Sequence, residues 1–133
     1  MVEPDEVILN WMQWGLAGSI RYLAKMPLYV ERGHYPPEKL VALRQAVMIE
    51  TRVIEAYREG TSKGLSPEER VWAGYVYGWA CVKIKQYAAG ALEFESYREE
   101  FQALWDRRDA GLVALGLPPY GENYERAKST EGD

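Results

Sequence analysis

The sequence predicts an all-α protein: a compact bundle of about four helices followed by a short C-terminal tail. Three observations carry that expectation. Apolar residues recur at helical spacing in four long segments, and no segment sustains strand alternation. Helix-start and helix-stop residues bracket those segments. One segment, Pro67–Ala89, is apolar on nearly every side, as expected of a central helix with several neighbours.

The first helix is expected from Pro4 to Met26. Pro4 suits a first turn, and Asp5 and Glu6 complement the helix dipole there. Arg21 and Lys25 do the same at the other end. Ile8, Trp11, Met12, Gly15, Ser19, Ile20 and Leu23 share one face, widened by Val7 and Trp14. Pro27 is expected to stop the helix. A connector, Met26–Pro36, follows.

The second helix spans Pro37–Glu59, with Leu40, Leu43, Val47, Ile54 and Tyr57 as its apolar stripe and Gly60 as a left-handed C-cap. The third opens on Ser66-Pro67-Glu68-Glu69, a capping box with proline at the first helical position. Trp72, Tyr75, Val76 and Trp79 form its main stripe, which places Trp79 near the centre of the bundle. Gly74 and Gly78, one turn apart, suggest a close helix crossing. Gly90 ends or interrupts this helix. A second capping-box pattern, Ser96 with Glu99, opens a fourth helix from Tyr97 to about Leu115, stopped by Gly116, Pro118 and Pro119. The bundle is assigned to residues 1–119 and a flexible polar tail to residues 120–133.

Composition bounds the function. With 133 residues the chain is expected to form one domain with a real core. The 47% hydrophobic and 27% charged residues are globular in balance. A net charge of −4 argues against nucleic acid as partner, because non-specific binding needs a basic field. A single cysteine, Cys81, rules out an internal disulfide and is read as a buried structural thiol. The acidic N-terminus lacks a secretory n-region, and the longest nearly uncharged stretch, Val7–Ile20, is too short to cross a bilayer. A reducing cytoplasm is the expected location. Asn10 and Asn123 are the only asparagines, a thermophile-like bias.

Catalytic and metal-binding patterns are absent. His34 sits in the first connector without a sequence-adjacent nucleophile or carboxylate to orient it. Glu93, Glu95, Glu99 and Glu100 are acidic, but no Glu-x-x-His motif accompanies them, so they read as a solvated face. No phosphate loop, nucleophile elbow or dinucleotide fingerprint occurs. No enzyme activity, cofactor or metal is expected.

What remains is an unusual supply of aromatic groups: five Trp, ten Tyr and two Phe. Interface anchors are enriched in Trp, Tyr and Arg. The sequence therefore predicts a non-enzymatic module that docks on another protein as an accessory or regulatory subunit. A virus-encoded factor acting on a host enzyme such as a polymerase would fit. A self-assembling structural subunit is the alternative, and a nucleic-acid-binding helical subunit the next. The expected interaction surface is the Trp14 edge of the first helix together with Leu28, Tyr29, Arg32 and Tyr35 of the connector.

Overall fold

A computed structural model describes residues 4–61, 63–90 and 94–121. Among the described residues there are four α-helices: α1 (Glu6–Glu31), α2 (Pro37–Arg58), α3 (Pro67–Ala88) and α4 (Arg98–Ala114). A 3-10 turn, Phe94–Tyr97, leads into α4. Among the described residues there is no strand, and no helix is long and apolar enough to cross a membrane.

The helix starts follow local chemistry. Asp5 Oδ1 accepts from the backbone N–H groups of Val7 at 2.9 Å and Ile8 at 3.2 Å, satisfying two donors that the helix leaves orphaned. The Asp5 N–H in turn donates to the Tyr57 hydroxyl at 3.0 Å, which ties the start of α1 to the end of α2. At α3 the capping box is complete: Glu69 N–H donates to Ser66 Oγ, and Ser66 N–H donates to Glu69 Oε1 at 2.8 Å. The end of α2 is a Schellman closure. Gly60 adopts φ +70° while its N–H donates to Tyr57 O and that of Thr61 to Ala56 O.

Two boundaries differ from the sequence expectation. Helix α1 does not stop at Pro27; it runs through it to Glu31. Proline inside a helix forfeits one hydrogen bond and crowds the preceding turn, an effect of about 3 kcal/mol. Burial of Met26, and a closing turn in which Gly33 N–H donates to Val30 O and His34 N–H to Tyr29 O, act against that loss. The connector shrinks to Arg32–Pro36, and Leu28 and Tyr29 belong to the last turn of α1. At α4 the Ser96–Glu99 box does not form. Ser96 lies within the 3-10 turn, and Tyr97 takes the N-cap position without a side-chain bond.

The packing makes α3 the hub. Among the described residues its backbone lies close to those of α1, α2 and α4, whereas the backbone of α4 lies close to α3 and the 3-10 turn. That is why α3 needs apolar groups all round. Trp72, Val76 and Ala80 meet Leu9, Met12, Ala46, Val53, Ile54 and Leu112 in the main core. On the other side, Tyr75, Trp79 and Val82 pack on a smaller cluster of Phe101, Leu104 and Trp105. The tryptophan at the centre is thus Trp72, not Trp79, which is half-buried. On α1 the buried line is Leu9, Met12, Ser19 and Met26, and Ile20 faces out. Cys81 is half-buried rather than buried.

The glycine pair on α3 divides in role. A Cβ on Gly78 would lie 2.6 Å from Leu104 Cδ2, so α4 leans directly on that position. A Cβ on Gly74 would meet nothing within 4 Å. Residues Leu117 and Tyr120, beyond α4, fold back against the main core. Tyr120 and Gly121, which the sequence places in the tail, are held by hydrogen bonds; residues 122–133 lie outside the described residues.

Substitutions at the two glycines separate these environments. Gly78→Leu drives extra atoms into Leu104 and is expected to destabilise by about 1–3 kcal/mol. Gly74→Ala removes a flexible residue from an open helix position and is expected to stabilise by about 0.5–1 kcal/mol. Denaturant unfolding midpoints of the two variants check both signs.

Candidate functional site

The residues singled out by sequence reasoning form a stripe along α1 rather than a patch. Trp14 is 64% exposed and rests against Trp11, with ring centroids 5.6 Å apart. Trp14, Arg21 and Leu28 recur every seven residues and so face one side of the helix. Fourteen residues of α-helix separate Trp14 from Leu28 by about 21 Å. Leu28 is exposed, and Arg32 caps the C-terminus of α1, its N–H donating to Leu28 O. Tyr29 and Tyr35 are half-buried. Their ring centroids lie 6.1 Å apart, edge to face, and Tyr29 also stacks on His34 at 6.1 Å. The structure therefore gathers Tyr29, Arg32, His34 and Tyr35 at one end of the bundle and leaves Trp14 well along the helix from them.

Beside Trp14 a cleft opens between α1 and α3, with a volume of about 250 Å³. Gly15 lets the Trp79 ring close against α1 as its wall: a Cβ there would sit 3.0 Å from that ring. Trp11 is the corner of its aromatic wall, 6.5 Å from Trp79 and 4.7 Å from Tyr87 between ring centroids. Lys83 lies on the rim, its Nζ 5.5 Å from the Trp79 ring centroid. Arg21 lines the opposite edge.

The floor of the cleft holds a residue that sequence reasoning passed over. Glu50, on α2, is only 8% exposed. Ser19 Oγ donates to its carboxylate at 3.1 Å. Burial pushes the Glu50 carboxyl up to about 7, against the opposing pull of the Ser19 bond and the positive charge of Arg108. A readable signal existed. Positions 43, 46, 50, 53 and 54 keep one helical phase, so Glu50 stands where the core stripe of α2 requires an apolar residue.

Arg108 repeats the pattern on α4, in phase with Phe101, Leu104, Trp105 and Leu112. It is 2% exposed, with its guanidinium carbon 5.2, 4.6 and 4.7 Å from the ring centroids of Trp72, Tyr75 and Tyr120. Its Nε donates to Asp109 Oδ1 at 3.0 Å, and one terminal nitrogen donates to Gly121 O at 2.9 Å. Asp109 accepts from the N–H groups of Tyr120 and Gly121. Burial and the Glu50 charge both push the Tyr120 phenol upward in pKa.

Of the acidic residues at the start of α4, Glu95 and Glu100 are paired, and Glu93 lies outside the described residues. Glu95 pairs with Arg98 at 2.8 Å, and Glu100 with Lys85 at 2.9 Å. Among the described residues no three His, Cys, Asp or Glu side chains converge as a metal site would require. The fold and its cleft thus define a four-helix protein with a buried carboxylate under an aromatic wall. No protein-family description matches this chain, and no curated protein or solved structure matches it either.

Glu50 gives a pH signature. Its folded pKa exceeds its unfolded value, so the folded chain holds the extra proton between about pH 4.5 and 7. Stability must therefore fall as pH rises through that window and stay low above it. Glu50→Gln removes the ionisation while keeping the shape. Relative to the native chain, the variant is expected to gain about 2–3 kcal/mol between pH 4.5 and pH 8. Parallel denaturant titrations at the two pH values measure that difference.

Proposed function

We propose that the protein is a non-enzymatic helical interaction module that docks on a larger protein assembly as an accessory or regulatory subunit. The observation that carries this reading is the exposed indole of Trp14 on the outer face of α1. Large apolar groups on a surface are a cost in isolation and an asset at an interface core. Ile20 and Leu28 add further exposed apolar surface along the same helix.

Charge says what the partner should look like. Between Glu6 and Glu31, α1 carries Arg21 and Lys25 and no acidic residue, although the whole chain has a net charge of −4. Lys83 adds a third cation across the cleft. A protein surface with an apolar pocket for Trp14 and acidic groups around it complements this face. Such charges favour rapid, correctly oriented encounter more than they add affinity.

Self-assembly is the second reading, and Met48 and Val41 support it. Both lie exposed on α2, seven residues apart and so on one side of that helix. A chain with two apolar faces suits a subunit with more than one neighbour. Mass by light scattering separates an assembling subunit from a monomeric adaptor.

The docking reading is tested on a partner captured from the source cells. Trp14→Ala, Tyr29→Ala and Arg32→Ala are then titrated against it, with circular dichroism as the folding control. Anchor residues are expected to lose at least about 1–2 kcal/mol of binding free energy while the helical signal stays unchanged. Unchanged affinity in all three would place the interface elsewhere.

A further inference from the structure

We propose that the cleft between α1 and α3 binds an alkyl-substituted organic cation, its charge on the Glu50 carboxylate and its carbon groups against Trp11, Trp79 and Tyr75. The site shares Trp14 as a neighbour with the docking face but does not depend on that reading.

The first support is the state of Glu50. A carboxylate has room for about four hydrogen bonds. Among the described residues, Ser19 is the hydrogen-bond donor that reaches this one. Arg108 acts on it through space, while its own N–H groups donate to Asp109 and Gly121. A buried acid with so little compensation lowers stability, and an arriving cation would supply what the fold does not.

The second support is the wall. Trp, Tyr and Phe rings attract cations to their faces, and the attraction grows when water is excluded. Trp79 already hosts a cation, since the Lys83 ammonium sits over its ring at 5.5 Å. Size selects among cations. A cleft of about 250 Å³ is below the usual range for drug-sized ligands and suits a butyl-sized stem. The ligand class is therefore a lysine or arginine side chain presented by a protein, or a small free alkylammonium. Both share one chemistry, a positive head on a short apolar stem.

Binding should depend on pH. The groups around Glu50 and along its cleft are Ser19, Arg21 and Tyr22 from α1, Tyr75 and Lys83 from α3, Arg108 from α4 and Tyr120 from the C-terminal segment. Burial pushes the Glu50 carboxyl itself up to about 7. A cation prefers the ionised form, so affinity should rise with pH through about 7.

The experiment follows tryptophan fluorescence of the full chain as butyltrimethylammonium chloride, N-acetyl-lysine methylamide, N-acetyl-arginine methylamide and neutral 1-pentanol are added at pH 6 and pH 8. The cations are expected to bind at pH 8 at least about tenfold more tightly than 1-pentanol, and about tenfold more weakly at pH 6. Glu50→Gln should lower cation affinity by at least about tenfold, and Lys83→Gln should raise it by removing a like charge at the rim. Tighter binding of the capped amino acids assigns the site to a protein side chain; tighter binding of the quaternary amine assigns it to a free ligand. Absence of saturable cation binding to the native chain overturns the proposal. So does equal affinity for 1-pentanol, or a Kd that does not change with pH. The pH series uses the native chain, so the test remains decisive even where Glu50→Gln folds poorly.

Discussion

A buried guanidinium holds this structure together. Arg108 lies in the interior with rings of Trp72, Tyr75 and Tyr120 around it. Placing a charge there is expensive unless hydrogen bonds and π faces replace the lost water. Asp109 and the Gly121 carbonyl supply the bonds, and the three rings supply the faces. The consequence is topological. One side chain joins α4, the middle of α3 and the segment beyond α4. This cluster adds to the packing of α4 on α3 at Gly78 and around Phe101 and Trp105.

Arg108 also acts on the cleft between α1 and α3. Its charge reaches Glu50 and partly opposes the effect of burial on that carboxyl. It does so through space, while its Nε and one terminal nitrogen donate to Asp109 and Gly121. Glu50 is thus left with Ser19 as its hydrogen-bond donor, under the aromatic wall that Gly15 makes room for. Small residues and buried charges act together here. Gly15 lets Trp79 approach α1, and Trp79 then becomes a half-buried wall rather than a central core residue.

Much of the architecture was legible in the sequence. The Ser66–Glu69 box, Gly60 and the all-round apolar character of α3 are local signals, and local hydrogen bonding or periodicity is enough to set them. Pro27 misled because its penalty is local while the opposing contribution, Met26 in the core, is tertiary. The Ser96–Glu99 pattern misled for a related reason: the chain enters α4 through a 3-10 turn, which puts Ser96 before the cap. Trp14 lies exposed on the outer face of α1 rather than widening its buried stripe. Tyr29 and Leu28 were identified, but as parts of a loop rather than of a helix end. Glu50 and Arg108 escaped the sequence reading because charged residues ordinarily stand on the surface. Their helical phase matched the apolar stripes, and that mismatch of chemistry with phase was the sign of buried polar groups.

The central claim is that the Arg108 charge, and not only its carbon stem, closes the bundle. Replacing buried ionic groups with apolar ones is sometimes neutral or stabilising, so the outcome discriminates. The direct measurement is denaturant unfolding of full-length Arg108→Met at pH 7. Methionine keeps much of the apolar stem and removes the charge and its donors. The account predicts a loss of at least about 3 kcal/mol, with the Gly121 carbonyl and the three rings left without their cation. Stability equal to or above that of the native chain would contradict it.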